Sequence, residues 1–102
     1  MTTAQPARPE EQEDGEPRVD VYWRPGCPFC TALFRSLRQA GLPMRERNIW
    51  DDPEAAAFVR ANAGGNETVP TVDVAGTVIV NPPAKVVLAL AAKAGIQAAA
   101  GS

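Results

Sequence analysis

The stretch Arg24-Pro25-Gly26-Cys27-Pro28-Phe29-Cys30, called here the cysteine motif, contains both cysteines of the chain. The five residues before it, 19–23, alternate in polarity as a half-buried β-strand does. The residues after it repeat apolar side chains at helical spacing. Pro28 suits the first turn of that helix, because its missing N–H would have no helical partner there. The cysteine motif therefore joins a predicted strand to a predicted helix.

Cys27 is predicted to lie just before the first helical turn. Backbone N–H groups have no helical partner there, and the helix dipole is positive. A thiolate is stabilised in such a place, and Arg24 adds positive charge close by in the sequence. Cys30 lies one turn further along, where its sulfur should be more buried. Because the thiolate is the attacking species in disulfide exchange, we predict catalytic roles for both: Cys27 as nucleophile and Cys30 as resolving thiol.

Two other interpretations of the cysteine pair compete with redox chemistry. A structural zinc site needs about four ligands, but the chain has two cysteines and no histidine, so a site would need a second copy. A pair of inert core thiols is common in proteins, but the Pro-Gly before Cys27 favours an exposed turn. A C-x-x-C near a β-α-β pattern is typical of redox proteins, and we therefore favour that chemistry.

Strands and helices alternate along the rest of the chain. A second strand is predicted over 44–49, and Asp52-Pro53 begins a second helix. A hairpin over 71–80 follows, and Asn81 is predicted to cap a final helix. The order β-α-β-α-β-β-α predicts an α/β protein with a four-stranded mixed sheet and helices on both faces, which is a thioredoxin-like fold.

Negative charge is concentrated at the start of the chain. Residues 1–17 hold one arginine against five acidic residues, a charge of −4, and because the whole chain is −2, the remainder carries +2. A segment so polar and rich in like charge cannot bury enough apolar surface to fold. We predict a disordered acidic tail over 1–17, a folded domain over 18–96, and a short flexible tail over 97–102.

Composition also limits the location and partners of the protein. No apolar stretch approaches membrane-spanning length, and the start lacks the pattern of a secretory signal. The near-neutral body gives no electrostatic reason to bind nucleic acid or an anionic membrane. We predict a cytoplasmic monomer that binds no metal, nucleic acid or membrane.

A second motif, Thr68-Val69-Pro70-Thr71, stands just before the third predicted strand, where a proline is permitted. Alone, it is equally consistent with a simple turn. Together with the cysteine motif, the surrounding stretch 62–71 and Val80-Asn81-Pro82, it makes residues 18 to 94 resemble the glutaredoxin family. The cysteine motif indicates the broad family. The other two stretches together indicate its mycoredoxin branch.

The resemblance implies how a thiol cofactor is bound. Val69–Pro70 would be a cis peptide bond facing Cys27, and the backbone of Val69 would pair with the cysteine part of the cofactor. Arg24 matches a lysine that lies near the cofactor's carboxylate in glutaredoxins. Phe29 stands where the family commonly has tyrosine. The implied cofactor-binding residues are Arg24, Phe29, Thr68, Val69, Pro70 and Asn81.

One departure from the family bears on the cofactor. Glutathione-using glutaredoxins place a Gly-Gly pair and an aspartate at the start of the last helix, where the acid holds the γ-glutamyl end of glutathione. This chain has Asn81-Pro82-Pro83-Ala84-Lys85 there. A cation accepts no hydrogen bond from the glutamyl ammonium and repels it. Mycothiol has a sugar–inositol end that needs no such acid. We predict mycothiol as the preferred reducing co-substrate, with glutathione second.

The predicted function is reduction of thiol-modified or disulfide-containing proteins with this low-molecular-weight thiol. A first alternative is an electron donor to ribonucleotide reductase, recharged by thioredoxin reductase, although the Trp-Ser-Gly-Phe-Arg-Pro motif of such proteins is absent. A second is an iron–sulfur cluster carrier, with Cys27 and a cofactor thiol as ligands across a dimer. Trp50 could line the cofactor groove or pack on Pro53, and we favour the packing role.

Overall fold

The computed structural model describes residues 18–98 and has the predicted order of elements in that range. The strands are β1 (Val19–Trp23), β2 (Arg45–Asn48), β3 (Thr71–Val74) and β4 (Thr77–Val80), and the helices are α1 (Pro28–Gln39), α2 (Pro53–Asn62) and α3 (Ala84–Lys93). The strand order is β2-β1-β3-β4. β2 pairs parallel with β1, while β3 pairs antiparallel with both β1 and β4. The four-stranded mixed sheet of a thioredoxin-like fold is confirmed.

The two faces of the sheet carry different helices because side chains alternate along β1. Val19 and Val21 belong to a buried cluster that includes side chains of α1 and α3. Tyr22 belongs to a second cluster with Val59 of α2 and stacks on Phe58 at 4.7 Å between ring centroids. The helices therefore lie on both faces, as predicted.

α1 follows directly from the sequence around the cysteine motif. Pro28 occupies its first turn, and the predicted apolar face is buried: Cys30, Leu33, Phe34 and Leu37. Burying a side chain such as that of Leu37 contributes about 1.5–3 kcal/mol. The chain leaves the helix through Gly41, whose φ of 74° suits glycine. The apolar face of α1 therefore packs in the same buried cluster as Val19 and Val21 of β1.

β2 is an edge strand, which explains its charged sequence. Asp20 on β1 is only 4% exposed, and a buried carboxylate is costly without partners. The Nε atoms of Arg45 and Arg47 lie 3.1 and 3.3 Å from Asp20 Oδ1. These charges lie at the edge of the sheet, and β2 is shorter than the predicted stretch 44–49.

The predicted cap of the last helix is wrong. α3 begins at Ala84, its N-cap is Pro83, and no side chain caps it. Asn81 has a φ of 53° and lies outside the helix. The two prolines explain the difference, because a residue that precedes proline is disfavoured in the helical region. Asn81 precedes Pro82, and Pro82 precedes Pro83, so the helix starts only after the second proline.

Part of the predicted domain organisation lies outside the described residues. Neither the acidic tail predicted over 1–17 nor residues 99–102 of the predicted C-terminal tail fall within 18–98. Ile96, near the predicted end of the folded domain, is buried, and its N–H donates to the carbonyl of Ala91 at 2.8 Å. Over the part of the chain that the structure describes, none of the helices is long and apolar enough to cross a membrane.

Candidate active site

Cys27 is the N-cap residue of α1, with φ −104° and ψ 105°. Its Sγ atom accepts a hydrogen bond from the backbone N–H of Cys30 at 3.1 Å. Because that N–H is one of those without a partner inside the helix, the sulfur takes the place that a serine or aspartate oxygen takes in other helices. A negative charge on Sγ is stabilised by this hydrogen bond and by the positive end of the helix dipole.

The two cysteines form a disulfide in this structure, with Cα atoms 5.2 Å apart. Cys27 is 6% exposed and Cys30 is 1% exposed. The order of exposure agrees with the prediction that Cys30 is the more buried sulfur. Cys27 is itself largely covered, although the turn before it, Pro25-Gly26, is exposed as predicted.

The second motif faces the first. The Val69–Pro70 peptide bond is cis, as the resemblance implies. Cys27 Sγ lies 3.8 Å from the carbonyl oxygen of Val69. Pro70 is buried, and its carbonyl accepts the backbone N–H of Asn81 at 2.7 Å. Thr68 is tied to the same loop, because its carbonyl accepts the hydroxyl of Thr71 at 2.7 Å. Thr68, Val69, Pro70 and Asn81 thus form one connected unit, which meets Cys27 at Val69.

A groove of about 350 Å³ runs beside this unit, between α1 and the segment that leads into α3. Phe29, at 68% exposed, lines it on the α1 side, and Asn81 lines it on the other. Its surface is mainly apolar, and the lining residues are Phe29, Ala32, Leu33, Ser36, Asn81, Pro82, Pro83 and Ala84. The next residue, Lys85, is exposed, and the first turn of α3 contains no acidic residue.

Arg24, the first residue of the cysteine motif, contacts Trp50, which is not among the predicted site residues. Its Nη1 donates to the carbonyl of Pro25 at 3.1 Å, and its guanidinium carbon lies 5.7 Å from the ring centroid of Trp50. Trp50 is 63% exposed, so its ring presents a large surface to solvent. The position of Trp50 directly after a strand parallel to β1 was the signal that could have placed it at this edge.

The acidic residues that follow Trp50, Asp51 and Asp52, accept hydrogen bonds from nearby groups of the chain. Asp52 Oδ1 accepts backbone N–H groups of Glu54 and Ala55 at 3.0 and 3.3 Å, so the predicted cap of α2 is confirmed. Asp51 accepts the side-chain amide of Asn48 at 3.2 Å. Within residues 18–98, no three His, Cys, Asp or Glu side chains gather as a metal site would require.

A C-x-x-C at the start of the first helix, facing a cis-proline loop on a thioredoxin-like fold, defines a thiol–disulfide redox protein. Comparison with known proteins identifies the family within this class. The glutaredoxin family model matches residues 19–79. Two Mycobacterium tuberculosis proteins named as glutaredoxins are 36% identical to this chain over 67 residues, which is 65% of this chain and 80% of each of them. The chain belongs to the glutaredoxin family and is a thiol–disulfide oxidoreductase.

Solved structures agree with this fold. The glutaredoxin-like NrdH-redoxin of Escherichia coli matches with a TM-score of 0.63 and 26% identity, over 72% of this chain and 93% of its own. A buckwheat glutaredoxin solved with glutathione matches with a TM-score of 0.65 and 17% identity, over 88% of this chain and 90% of its own. The latter likeness concerns the fold alone.

Proposed function

We propose that this glutaredoxin reduces protein mixed disulfides at the expense of a low-molecular-weight thiol, and that mycothiol is preferred over glutathione. The observation that carries the proposal is the position of Cys27. Its sulfur caps α1, accepts the N–H of Cys30 and faces the Val69 carbonyl. A sulfur held in this way is stabilised as the thiolate that disulfide exchange requires.

In the first route, Cys27 acts alone. Its thiolate attacks the cofactor sulfur of a protein–cofactor disulfide, forms a new S–S bond to the cofactor, and expels the protein thiolate, which takes up a proton. A second cofactor molecule, as its thiolate, then attacks the cofactor sulfur on Cys27. The products are the cofactor disulfide and the regenerated Cys27 thiolate. Each turnover therefore consumes one free cofactor thiol, and the disulfide bond is exchanged from the target to the cofactor.

In the second route, Cys30 resolves an intermediate. When Cys27 is joined to a target sulfur, the deprotonated Cys30 attacks Cys27, the target leaves as a thiol, and a Cys27–Cys30 disulfide remains. The short distance between the two Cα atoms supports this step, because 5.2 Å falls within the range that a disulfide spans. The burial of Cys30 supports its second place in the sequence of events.

The proposed cofactor site surrounds Cys27. Val69 would offer its backbone to the cysteine part of the cofactor, with Thr68 and Pro70 holding that backbone in place. Phe29 and Asn81 would border the cofactor along the groove, and Arg24 would lie at its opposite end. The contact of Cys27 with Val69 and the shared groove of Phe29 and Asn81 support this assignment.

The preference for mycothiol is supported at the start of α3. The exposed Lys85 and the lack of an acid in this first turn leave the α-ammonium of glutathione without an anionic partner. A charge-assisted hydrogen bond is worth about 1.5–3 kcal/mol. Mycothiol carries an acetyl group on its cysteine nitrogen in place of the γ-glutamyl residue, so it has no ammonium at this place and does not lose this contribution.

The decisive experiment compares kcat/KM for mixed disulfides of one target peptide with mycothiol and with glutathione. We expect a tenfold or greater preference for mycothiol, and we expect Cys30→Ser to keep turnover because the first route uses Cys27 alone. The matched Cys27→Ser variant should have none. Equal turnover of the two substrates would contradict the thiol preference, and loss of all turnover in a folded Cys30→Ser protein would contradict the first route.

A further inference from the structure

We propose that Trp50, held by Arg24, is the platform on which the sugar–inositol end of mycothiol stacks, so that this tryptophan sets the thiol preference. The inference rests on the proposed function and adds a specificity-determining residue to it. It is carried by the place of Trp50 at the edge of the sheet, the rigidity of its attachment and the exposure of its ring.

Trp50 lies at the same edge of the sheet as the cysteine motif. β1 and β2 are parallel, with Trp23 beside Asn48 in register, and the N–H of Ile49 donates to the carbonyl of Trp23 at 2.9 Å. The chain therefore leaves both strands side by side. Arg24 begins the turn to Cys27 on one strand, and Trp50 follows the other, which brings the indole against the Arg24 guanidinium.

The backbone that carries Trp50 is fixed, although the side chain is exposed. The N–H of Trp50 donates to Asn48 Oδ1 at 2.9 Å, and the Asn48 side-chain amide donates to Asp51 Oδ2 at 3.2 Å. Two residues further on, Asp52 caps α2. Side-chain hydrogen bonds of this kind replace strand pairing where the chain turns. Because this segment is already ordered, binding of a ligand to the ring would cost little conformational entropy of the chain.

The exposed ring has the chemistry of a carbohydrate platform. A 63% exposed indole leaves a large apolar surface in water beside the Arg24 guanidinium, and covering that surface is favourable. Sugar and cyclitol rings present C–H groups on their faces and hydroxyls at their rims. The faces suit an aromatic ring, and the hydroxyls suit the N–H donors of the neighbouring guanidinium. Glutathione has no ring to place there, so the platform would act on mycothiol only.

Arg24 has a positioning role in this proposal. The resemblance implies a contact between the residue at this place and a cofactor carboxylate, but the sugar–inositol end of mycothiol offers hydroxyls. The guanidinium instead restrains the indole through a cation–π contact and faces the rim of the ligand. Arg24 would therefore orient Trp50 as well as donate hydrogen bonds.

The test measures single-turnover release of thionitrobenzoate from its mixed disulfides with mycothiol, N-acetylcysteine and glutathione. N-acetylcysteine keeps the reacting group and lacks the ring end. For Trp50→Ala we expect the saturation constant for the mycothiol substrate to rise about threefold to tenfold, the range of a lost aromatic contact. The N-acetylcysteine reaction should change less than twofold. Trp50→Phe, which keeps a smaller ring, should restore part of the mycothiol affinity.

The outcomes separate this inference from the proposed function. If the wild-type protein reacts equally well with the mycothiol and glutathione substrates, the proposed thiol preference fails. If the wild type prefers mycothiol and Trp50→Ala keeps that preference, the platform alone is wrong. Equal losses with mycothiol and N-acetylcysteine would show a structural role and overturn the inference.

Discussion

The sulfur of Cys27 is stabilised by the backbone at the start of α1. Its hydrogen bond comes from the N–H of Cys30, and the chain contains no histidine that could act as its base. A backbone N–H and a helix dipole do not titrate, so they stabilise the thiolate over the whole pH range in which the fold persists. Cys30, one turn into α1, lies beyond the N-terminal residue of the helix where this effect is strongest.

This difference predicts which cysteine ionises first. In Cys30→Ser, the remaining Cys27 should form a thiolate at lower pH than the remaining Cys30 in Cys27→Ser. Thiolate absorbance against pH, measured on both reduced variants, gives the two midpoints directly. The circular dichroism spectra of the variants serve as the control for folding. A lower midpoint for Cys30 would reverse the proposed roles of nucleophile and resolving thiol.

Tyr22 is a second titrating residue, and it lies on the face of the sheet opposite the buried cluster that contains Cys27. Burial raises the pKa of Tyr22 above its usual value of about 10, and the Asp20 carboxylate raises it further, while Arg47 opposes this. The folded protein thus holds the Tyr22 proton more tightly than the unfolded chain does. The stability that this contributes is complete below pH 10 and is lost as the pH rises beyond it.

The only tyrosine of the chain makes this effect measurable. Phenolate absorbance should give a midpoint above that of free tyrosine in the folded protein and a normal midpoint in denaturant. The free energy of unfolding should fall more steeply above pH 10 in the wild type than in Tyr22→Phe. Identical slopes for the two proteins would show that ionisation of Tyr22 does not destabilise the folded protein.

At the scale of elements, local sequence signals predicted the starts of α1 and α2 correctly. Pro28 and Pro53 occupy the first turns of these helices, and Asp52 caps the second, so both helices begin where expected. The start of α3 was misplaced because the asparagine signal competes with two following prolines, and the backbone restriction is the stronger effect. The contact of Arg24 with Trp50 depends on the parallel pairing of β1 and β2. That pairing follows from the β-α-β order of elements and not from the sequence around either residue.

The first turn of α3 supplies an element-scale prediction about the cofactor. Lys85→Asp should raise kcat/KM for the glutathione mixed disulfide by about tenfold to a hundredfold, because it offers the missing partner for the α-ammonium. The mycothiol reaction should change far less. An acid in the first turn also interacts favourably with the helix dipole, so the variant should fold at least as well as the wild type.

Lys85→Gln is the matched control for that experiment. It removes the cation without adding an acid, and it should give only a small gain with glutathione. Both variants are compared with the wild type at one ionic strength, because a change of charge also alters encounter with a charged substrate. Equal gains for both thiols in Lys85→Asp would mean that the start of α3 does not contact the γ-glutamyl end.

At the scale of the whole molecule, the fold follows from the order of elements, and the site follows from how the sheet brings them together. The cysteine motif and the cis-proline loop are about forty residues apart in the sequence, yet Cys27 and Val69 are in contact. β1 and β3 are antiparallel neighbours, with Tyr22 paired to Thr71, so the end of one strand adjoins the start of the other. The resemblance implied this meeting, and the residues alone did not.

The charge of the chain supplies the last prediction, which concerns the acidic segment over 1–17. The proposed site residues run from Arg24 to Asn81, and the segment contains only one large apolar residue, Met1. Its removal should therefore leave the mycothiol reaction within about twofold and the free energy of unfolding within about 0.5 kcal/mol of the values for the full chain.

Removal of residues 1–17 should change the net charge from −2 to +2. Because mycothiol has no charged group at its sugar–inositol end while glutathione carries carboxylates, truncation should speed only the glutathione reaction, and only at low salt. Turnover of both substrates at two ionic strengths, with and without residues 1–17, checks this. A tenfold loss with mycothiol at both ionic strengths would show that the segment contributes to the site by contact rather than by charge.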